Sequence, residues 1–166
     1  MFTNNYINFK RAVFMGSPSY GSFTSSDGVG VSPGDFSNAD IGAMMRSAWC
    51  RTPMANYGGV YFGTGTTPAK QSDIALEAVI ISGLTITNAG NTLLAYENGV
   101  GTATASYTVK NYTESEIIIT EIGCYTTFGS SKTAPVLFER TVLDKPIVIQ
   151  PGASKLVTYQ ITFSHA

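Results

Sequence analysis

The clearest structural signal in the chain is YTVKNYTESEIIITEIGCYT, which runs from Tyr107 to Thr126. Two segments rich in β-branched and aromatic residues flank a polar turn, and this pattern predicts two β-strands. In the second strand both faces carry mostly apolar side chains, so we predict that it lies in the centre of a sheet. Glu121 interrupts this apolar run, and an ionised carboxylate in such a place needs either a charged partner or a chemical role.

Apolar and polar residues also alternate in two longer segments, as they do in half-buried strands. In TATASYTVKN, residues 102–111, the apolar side chains occupy odd positions from Ala103 to Val109, and in KLVTYQITF, residues 155–163, from Val157 to Phe163. Further strand candidates are residues 59–62, 78–87, 92–97, 116–125, 136–143 and 146–149, with turns at 88–91, 111–115 and 151–152. About seven or eight short strands of this kind predict an all-β fold, an antiparallel β-sandwich of the Ig-like or jelly-roll-like type.

Residues 1–57 are predicted to form an irregular N-terminal extension, and residues 58–166 the β-sandwich domain. The extension is rich in Asn, Ser, Gly and aromatic residues, with one short strand candidate at residues 10–15. We expect its apolar residues to pack on the sandwich or on a neighbouring subunit. It also contains one short helix candidate near residues 39–50, where a single helical face would carry Ile41, Met44, Met45, Ala48 and Trp49.

Charge and cysteine content exclude several classes of function. Only 13% of the residues are charged, with ten basic and eleven acidic residues and no basic run, so we expect no nucleic-acid partner. The sequence has neither a secretory signal nor a stretch of about 20 apolar residues, so we expect no membrane partner and synthesis in the cytoplasm. Cys50 and Cys124 are too few for a disulfide framework, and reduced thiols are favoured over a single disulfide.

Catalytic and metal-binding residues are hard to assemble from this sequence. The single histidine, His165, is the penultimate residue, so a nucleophile activated by histidine is not expected. One His, two distant Cys and no clustered carboxylates do not form a zinc shell. We therefore predict no enzymatic activity, no catalytic residue, no metal and no cofactor.

The loop GTGTTP, residues 63–68, is similar to a phosphate-binding loop only in its glycine content. It lacks a third glycine and a following Lys-Ser/Thr pair, and Pro68 stands where a helix N-terminus would offer its amides. We interpret it as a tight connection that needs the conformational freedom of glycine. The nearby Asp73 is interpreted as a turn or capping residue.

The interpretation of Glu121 depends on Arg140, which lies in the segment VLFERTVL, residues 136–143. Arg140 shares a strand face with Phe138 and Val142, and arginine is suited to bidentate pairing with carboxylates. A structural ion pair between Glu121 and Arg140 is therefore favoured over an active-site acid, because the sequence offers no second catalytic group. The active-site acid is kept as the alternative.

The nine Tyr, nine Phe and one Trp have two interpretations. Aromatic side chains at strand positions are expected to fill the core, whereas those in turn-rich sequence are freer to contact a ligand such as a sugar. The core set is Tyr107, Tyr125, Tyr159 and Phe163, and the candidate contact set is Tyr6, Tyr20, Phe23, Tyr57 and Tyr96.

Three segments in order carry a resemblance to a known class of proteins. They are GGVYFGTGTTPAKQSDIALE (58–77), ASYTVKNYTESEIIITEIGCY (105–125) and VLFERTVLDKPIVIQPGASKLVTYQITF (136–163). This combination resembles small virion proteins of tailed bacteriophages, which share the Gly-rich loop, the strand pair and the closing segment. The resemblance covers about residues 58–163. Glu121 and Arg140 fall on the Glu and Arg of the pattern, and Cys124 stands where the pattern usually has Leu.

The resemblance implies a structural part of the virion, in the tail, a fibre, the collar or the capsid surface, and not an enzyme. Its expected partners are other virion proteins and further copies of itself in a homo-oligomer. The expected location is the virion, after synthesis in the bacterial host cytoplasm. The alternative function is a carbohydrate- or receptor-binding β-sandwich module on the virion, which would bind a host-surface glycan through exposed tyrosines.

Overall fold

The computed structural model describes residues 1–15, 23–31, 59–88, 93–97, 100–126 and 135–164. These residues fall into two units, the first formed by Met1–Ile80 and Ile118–Ile147 and the second by Ile81–Ile117 and Val148–Ala166. The described elements are α1 (Asn4–Met15), β1 (Phe23–Thr24), β2 (Gly30–Val31), β3 (Gly59–Gly63), β4 (Leu84–Asn88), β5 (Leu93–Glu97), β6 (Val100–Asn111), β7 (Ile117–Thr126), β8 (Val136–Ile149) and β9 (Ser154–Ser164). The chain is therefore mostly β with antiparallel sheets, compatible with the predicted all-β, sandwich-like class.

The sheet of the first unit has the strand order β3-β7-β8, so β7 is its central strand. This position confirms the prediction made from the apolar residues on both faces of the segment. β3 pairs antiparallel with β7, from Gly59 opposite Tyr125 to Gly63 opposite Glu121. Every residue of β7 from Glu121 to Thr126 is buried, so a charge placed on this half of the strand has no access to water.

Short segments pair with part of each outer strand of this sheet. Phe2 forms an antiparallel bridge with Glu139 on β8, and Val79 forms one with Gly63 on β3. The main-chain N–H of Thr3 also donates to the carbonyl of Phe138 at 3.0 Å. These contacts occupy part of each outer edge of the sheet.

The segment after these first residues forms α1, so the predicted strand at residues 10–15 is wrong. The helix presents Tyr6 and Phe9 to the sheet, where the Phe9 ring centroid lies 5.2 Å from that of Phe138. Both side chains are buried, and their three-residue spacing places them on one helical face. Burial of this face outweighs the local preference for an extended chain.

Two further predictions for residues 1–57, the helix and the domain division, are not tested by the structure. The predicted helix near residues 39–50 lies outside the described residues. The predicted division between residues 57 and 58 stays a prediction.

The described part of the chain contains no helix that is long and apolar enough to cross a membrane.

The sheet of the second unit is built around β6. β4 and β5 pair with successive parts of β6, while β9 pairs with β6 from Val100 opposite Ser164 to Lys110 opposite Ser154. The predicted alternation is visible in the burial pattern, because Tyr107, Val109, Val157 and Tyr159 are buried and the residues between them are not. Period-two patterning therefore identified both long strands of this sheet.

Two strand boundaries differ from the expectation. The candidate at residues 78–87 forms a strand only from Leu84, because the preceding residues make single hydrogen bonds to β3 and then leave it. The two candidates at 136–143 and 146–149 are one strand, β8, which continues through Pro146. Proline lacks an N–H donor and is tolerated in strands at the end of a sheet, which is the position of β8.

Candidate functional site

Arg140 is the centre of a charge cluster in the first unit. Its Nε donates a hydrogen bond to Glu121 Oε2 at 2.8 Å, and its Nη1 donates to Asp73 Oδ2 at 2.8 Å. Its Nη2 lies 3.4 Å from Glu77 Oε2. We call these four residues the Arg140 cluster. One guanidinium therefore connects β7 and β8 to the loop that follows β3.

The members of the Arg140 cluster differ strongly in exposure. The side chains of Arg140 and Glu121 are 4% and 0% exposed, whereas those of Asp73 and Glu77 are 19% and 44% exposed. The interaction between Arg140 and Glu121 is therefore shielded from solvent. Solvent partly screens the interactions of Arg140 with the two outer carboxylates, Asp73 and Glu77. Loss of Arg140 would leave the buried carboxylate of Glu121 without its counterion.

Glu121 receives additional donors from the backbone. Its Oε1 accepts hydrogen bonds from the N–H groups of Gly65 at 3.1 Å and Ala78 at 2.8 Å. Its Oε2 accepts one from the N–H of Glu77 at 3.1 Å. Together with Arg140 these amides compensate the desolvation of the carboxylate, which explains how it remains buried.

The Gly-rich loop is shaped by its close approach to Glu121. A Cβ at Gly65 would lie 2.6 Å from Glu121 Oε1 and 2.5 Å from the Cβ of Glu77, and one at Gly63 would also collide with Glu121 Oε1. Neither glycine has a positive φ. The predicted reason for these glycines, conformational freedom, is therefore wrong, because the loop requires the absence of a side chain.

The two outer carboxylates organise the loop itself. Glu77 Oε2 accepts from the N–H groups of Thr66 and Thr67 at 3.0 and 2.9 Å, and its Oε1 accepts from the Thr67 hydroxyl at 2.8 Å. Asp73 Oδ2 accepts from the N–H of Lys70 at 2.8 Å. Asp73 is thus a turn residue, as predicted, and also a partner of Arg140 that the sequence interpretation did not identify.

The shifts of pKa follow from these contacts. Burial alone would lower the pKa of Arg140, but its hydrogen bonds with Asp73 and Glu121 outweigh burial and raise it. Hydrogen bonds from the N–H and hydroxyl of Thr67 lower the pKa of Glu77. Both groups therefore stay charged around neutral pH, where an ionised Glu77 is a poor proton donor.

A tyrosine fixes the end of the same loop. The hydroxyl of Tyr125 accepts a hydrogen bond from the N–H of Leu76 at 2.6 Å, and burial raises the pKa of this tyrosine. Leu76 packs with Tyr125 and Leu137 in a small apolar cluster. The loop is consequently anchored by apolar packing at one point and by the Arg140 cluster at another.

Glu139 lies next to Arg140 on β8 and makes a separate ion pair. Its Oε1 accepts hydrogen bonds from the amino group of Met1 at 2.7 Å and from the hydroxyl of Thr141 at 2.6 Å. Within the described ranges, its buried Oε2 has no hydrogen-bond partner. Burial raises the pKa of Glu139, although the ammonium of Met1 opposes this shift.

The structure brings Glu121 and Arg140 together, and it buries two of the five candidate contact aromatics. Tyr6 and Phe23 are 8% and 1% exposed, so the expectation that they are free for a ligand is wrong, because they pack inside the first unit. Tyr20 and Tyr57 lie outside the described residues, as does the side chain of Tyr96. A different tyrosine, Tyr112, is exposed, and the ammonium of Lys110 lies 4.6 Å from its ring centroid.

Within the described ranges, the remaining candidates for chemistry give no second site. Cys124 is a free, buried thiol, and burial raises its pKa. Cys50 and His165 lie outside the described residues. In the ranges that the structure describes, no group of three His, Cys, Asp or Glu side chains is placed to hold a metal ion.

Asp73 and Glu77 are the cluster members that sequence reasoning missed. Their four-residue spacing suggests a helix face, but this part of the chain is a loop, and its path is set by contacts with distant strands. The available signal was two carboxylates close to a Gly-rich loop.

Comparisons with protein-family models, with curated proteins and with solved structures find no match to this chain.

Proposed function

We propose that the chain is a structural component of a tailed-phage virion, which acts by self-association and by contacts with other virion proteins. The observation that supports this proposal most strongly is that residues of the three segments that resemble virion proteins contact one another in the structure. Gly63, Gly65, Asp73, Glu121 and Arg140 come from all three resembling segments, and they meet in or beside the Arg140 cluster. These residues hold the loop after β3 against β7 and β8, so the resembling segments share a structural role.

Residues of the pattern in the second unit also have internal partners. The buried Asn111 donates from Nδ2 to the carbonyls of Ser115 and Ile149 at 2.8 and 2.9 Å, and its Oδ1 accepts from the N–H of Thr113 at 2.8 Å. Gly152 has a φ of 69°, the left-handed conformation that glycine adopts most readily in a turn. These residues fix two turns, which again supports an architectural role.

The geometry of the Arg140 cluster favours architecture over catalysis. A general acid or base must reach a substrate and have a pKa near the working pH. Glu121 is enclosed by four donors from its own chain, and the more exposed Glu77 has a lowered pKa. Neither carboxylate is therefore suited to proton transfer.

The glycan-binding alternative receives less support. Two of its five candidate aromatics, Tyr6 and Phe23, are buried in the first unit. A flat sugar-stacking surface requires several exposed rings close together. The burial of these two rings favours core packing for Tyr6 and Phe23.

Protein composition of purified virions tests the proposal. Particles purified by density gradient from lysates that express this gene should contain the chain at a constant copy number per particle, measured by quantitative mass spectrometry. An abundant host protein serves as the control for contamination. A chain that stays in the soluble fraction, or that varies in copy number with the control, would contradict the proposal.

A further inference from the structure

The first residue of α1 is bonded to a distant turn of the chain. The main-chain N–H of Asn4 donates to the carbonyl of Gln71 at 2.8 Å. The first N–H groups of a helix have no acceptor within the helix, so they need one from elsewhere. The loop after β3 therefore supplies an acceptor on which the start of α1 depends.

Asp73 closes this turn and links it to the sheet. We call residues 70–73 the Gln71 turn. The N–H of Lys70 donates to Asp73 Oδ2 at 2.8 Å, and the N–H of Asp73 donates to the carbonyl of Lys70 at 3.1 Å. The same Oδ2 accepts from Nη1 of Arg140, whose side chain is 4% exposed. A single carboxylate therefore closes the turn and attaches it to β8.

Arg140 also holds the residues at the start of the chain. Its main-chain N–H donates to the carbonyl of Met1 at 3.0 Å, and the N–H of the buried Thr3 donates to the carbonyl of Phe138 at 3.0 Å. We call residues 1–5 the N-terminal segment. This segment is thus bonded to β8 on one side and to the Gln71 turn on the other.

These contacts form a closed ring. It runs from the side chain of Arg140 to Asp73, from the carbonyl of Gln71 to Asn4, and along the N-terminal segment back to the main chain of Arg140. Each bond of such a ring is made only while both of its partners are held in place by the others. Loss of one bond therefore weakens the rest, as it does in other hydrogen-bond networks.

We propose that the Gln71 turn is a latch for the N-terminal segment, and that the two open and close together as one unit. Proteins open locally in small cooperative units of this kind. Lys70, Gln71 and Ser72 are exposed, so a ligand or a protease that acts on the turn from solvent would release the N-terminal segment from β8. The inference goes beyond the proposed function and does not depend on it.

The Asp73→Asn variant tests the latch from the side of the turn. Asparagine is close to aspartate in size and still offers an oxygen to the N–H of Lys70, but it has no charge for Arg140. Amide hydrogen exchange followed by NMR measures opening at single residues. We expect exchange at the amides of Thr3 and Asn4 to become about tenfold faster, because a hydrogen bond to a charged group usually contributes enough for a factor of that size.

The reverse perturbation starts from the N-terminal segment. Thr3→Val keeps the shape of a buried side chain and removes the hydroxyl that donates to the carbonyl of Leu137 at 2.7 Å. Coupling between two sites is reciprocal, so exchange at the amide of Asp73 should become faster in this variant. Thr3→Val also keeps the inference testable if Asp73→Asn does not fold.

Asp144→Asn is the matched control, because it makes the same chemical change at an exposed position of β8. It should leave exchange at Thr3, Asn4 and Asp73 as in the unmodified protein. The amides of the central strand β7 report opening of the whole unit. In every variant that folds, exchange at Thr3 and Asn4 should therefore be faster than at β7.

Three results would overturn the inference. Unchanged exchange at Thr3 and Asn4 in Asp73→Asn shows that the turn does not hold the segment. A Thr3→Val variant with faster exchange at Asn4 but not at Asp73 shows that the segment opens alone. Exchange at Thr3 and Asn4 as slow as at β7 in the unmodified protein shows that the segment opens only with the whole unit.

Discussion

Glu121 and the glycines around it depend on each other at the scale of single residues. The carboxylate is fully buried and accepts hydrogen bonds from Arg140 and from three backbone amides. Those amides reach it only because Gly63 and Gly65 have no side chain in the way. The loop sequence and the charge on β7 therefore form one structural feature, although 56 positions separate Gly65 from Glu121.

Replacement of Gly65 tests this dependence. We expect Gly65→Ala to lower the free energy of unfolding by about 1–3 kcal/mol, the usual cost of overpacking, because its Cβ would press on Glu121 and Glu77. Urea denaturation measures the change. Gly30→Ala is the matched control, since a Cβ there meets no atom within 4 Å. Equal stability of the two variants would show that Glu121 does not require the close approach.

Glu139 gives a prediction about pH. Burial raises its pKa in the folded state above the ordinary value of 4.5. The folded chain therefore holds this proton more tightly than the unfolded chain, and the resulting stability is fully present below about pH 4.5 and lost as the pH rises through the raised pKa. We expect the stability of the unmodified protein to fall relative to Glu139→Gln over that range, measured by urea denaturation at several pH values. Asp144→Asn, at an exposed position of β8, is the control; a parallel pH dependence in the unmodified protein and Glu139→Gln would contradict the assignment.

The sequence was informative about some of these residues and not about others. An acid within an apolar strand demands a partner, and Arg140 lies on a nearby predicted strand, so their pairing could be proposed from pattern alone. Asp73 and Glu77 lie in a loop without periodicity, and their positions depend on contacts across the fold. The ammonium of Met1 beside Glu139 likewise joins residues 138 positions apart, and local patterns do not encode such contacts.

At the scale of elements, period-two alternation identified strands well where one face is buried. β6 and β9 were predicted within one or two residues of their ends, because alternation and flanking turns both mark them. The sequence predicts a short strand at residues 10–15, yet these residues belong to α1. The helix is stabilised by Tyr6 and Phe9 packing on Phe138, and such tertiary contacts override weak local preferences.

The packing of α1 can be measured with two alanine substitutions. Phe9 is 3% exposed, so Phe9→Ala should cost about 3–5 kcal/mol of stability, as removal of a buried aromatic usually does. Ile7 lies on the same helix but is 38% exposed, so Ile7→Ala should cost less than about 1 kcal/mol. Chemical denaturation gives both values. Similar losses in the two variants would mean that α1 does not dock through Phe9.

At the scale of the whole molecule, the first residues of the chain pack on β8 and stabilise the first unit. Thr3 and Asn5 are buried and donate to carbonyls of β8, and α1 covers Phe138. The expectation that the region packs on the β-structure is met by residues 1–9. Removal of residues 1–37 should therefore destabilise the first unit, measured by thermal unfolding. A truncated chain that melts like the full chain would contradict these contacts.

The central claim is that the Arg140 cluster preserves a shape, and a double-mutant cycle on Glu121 and Arg140 tests it most directly. Arg140→Met leaves the buried Glu121 without a charged partner, and Glu121→Gln removes the one fully buried partner of Arg140, which keeps Asp73 and Glu77, so each should cost about 3–5 kcal/mol in chemical denaturation. The double variant should cost much less than their sum, because Asp73 and Glu77 keep backbone donors and partial exposure. Glu116→Gln and Lys145→Met, at exposed positions, are the controls. Small, additive losses, or a gain in stability from Glu121→Gln, would contradict the account and favour a catalytic carboxylate.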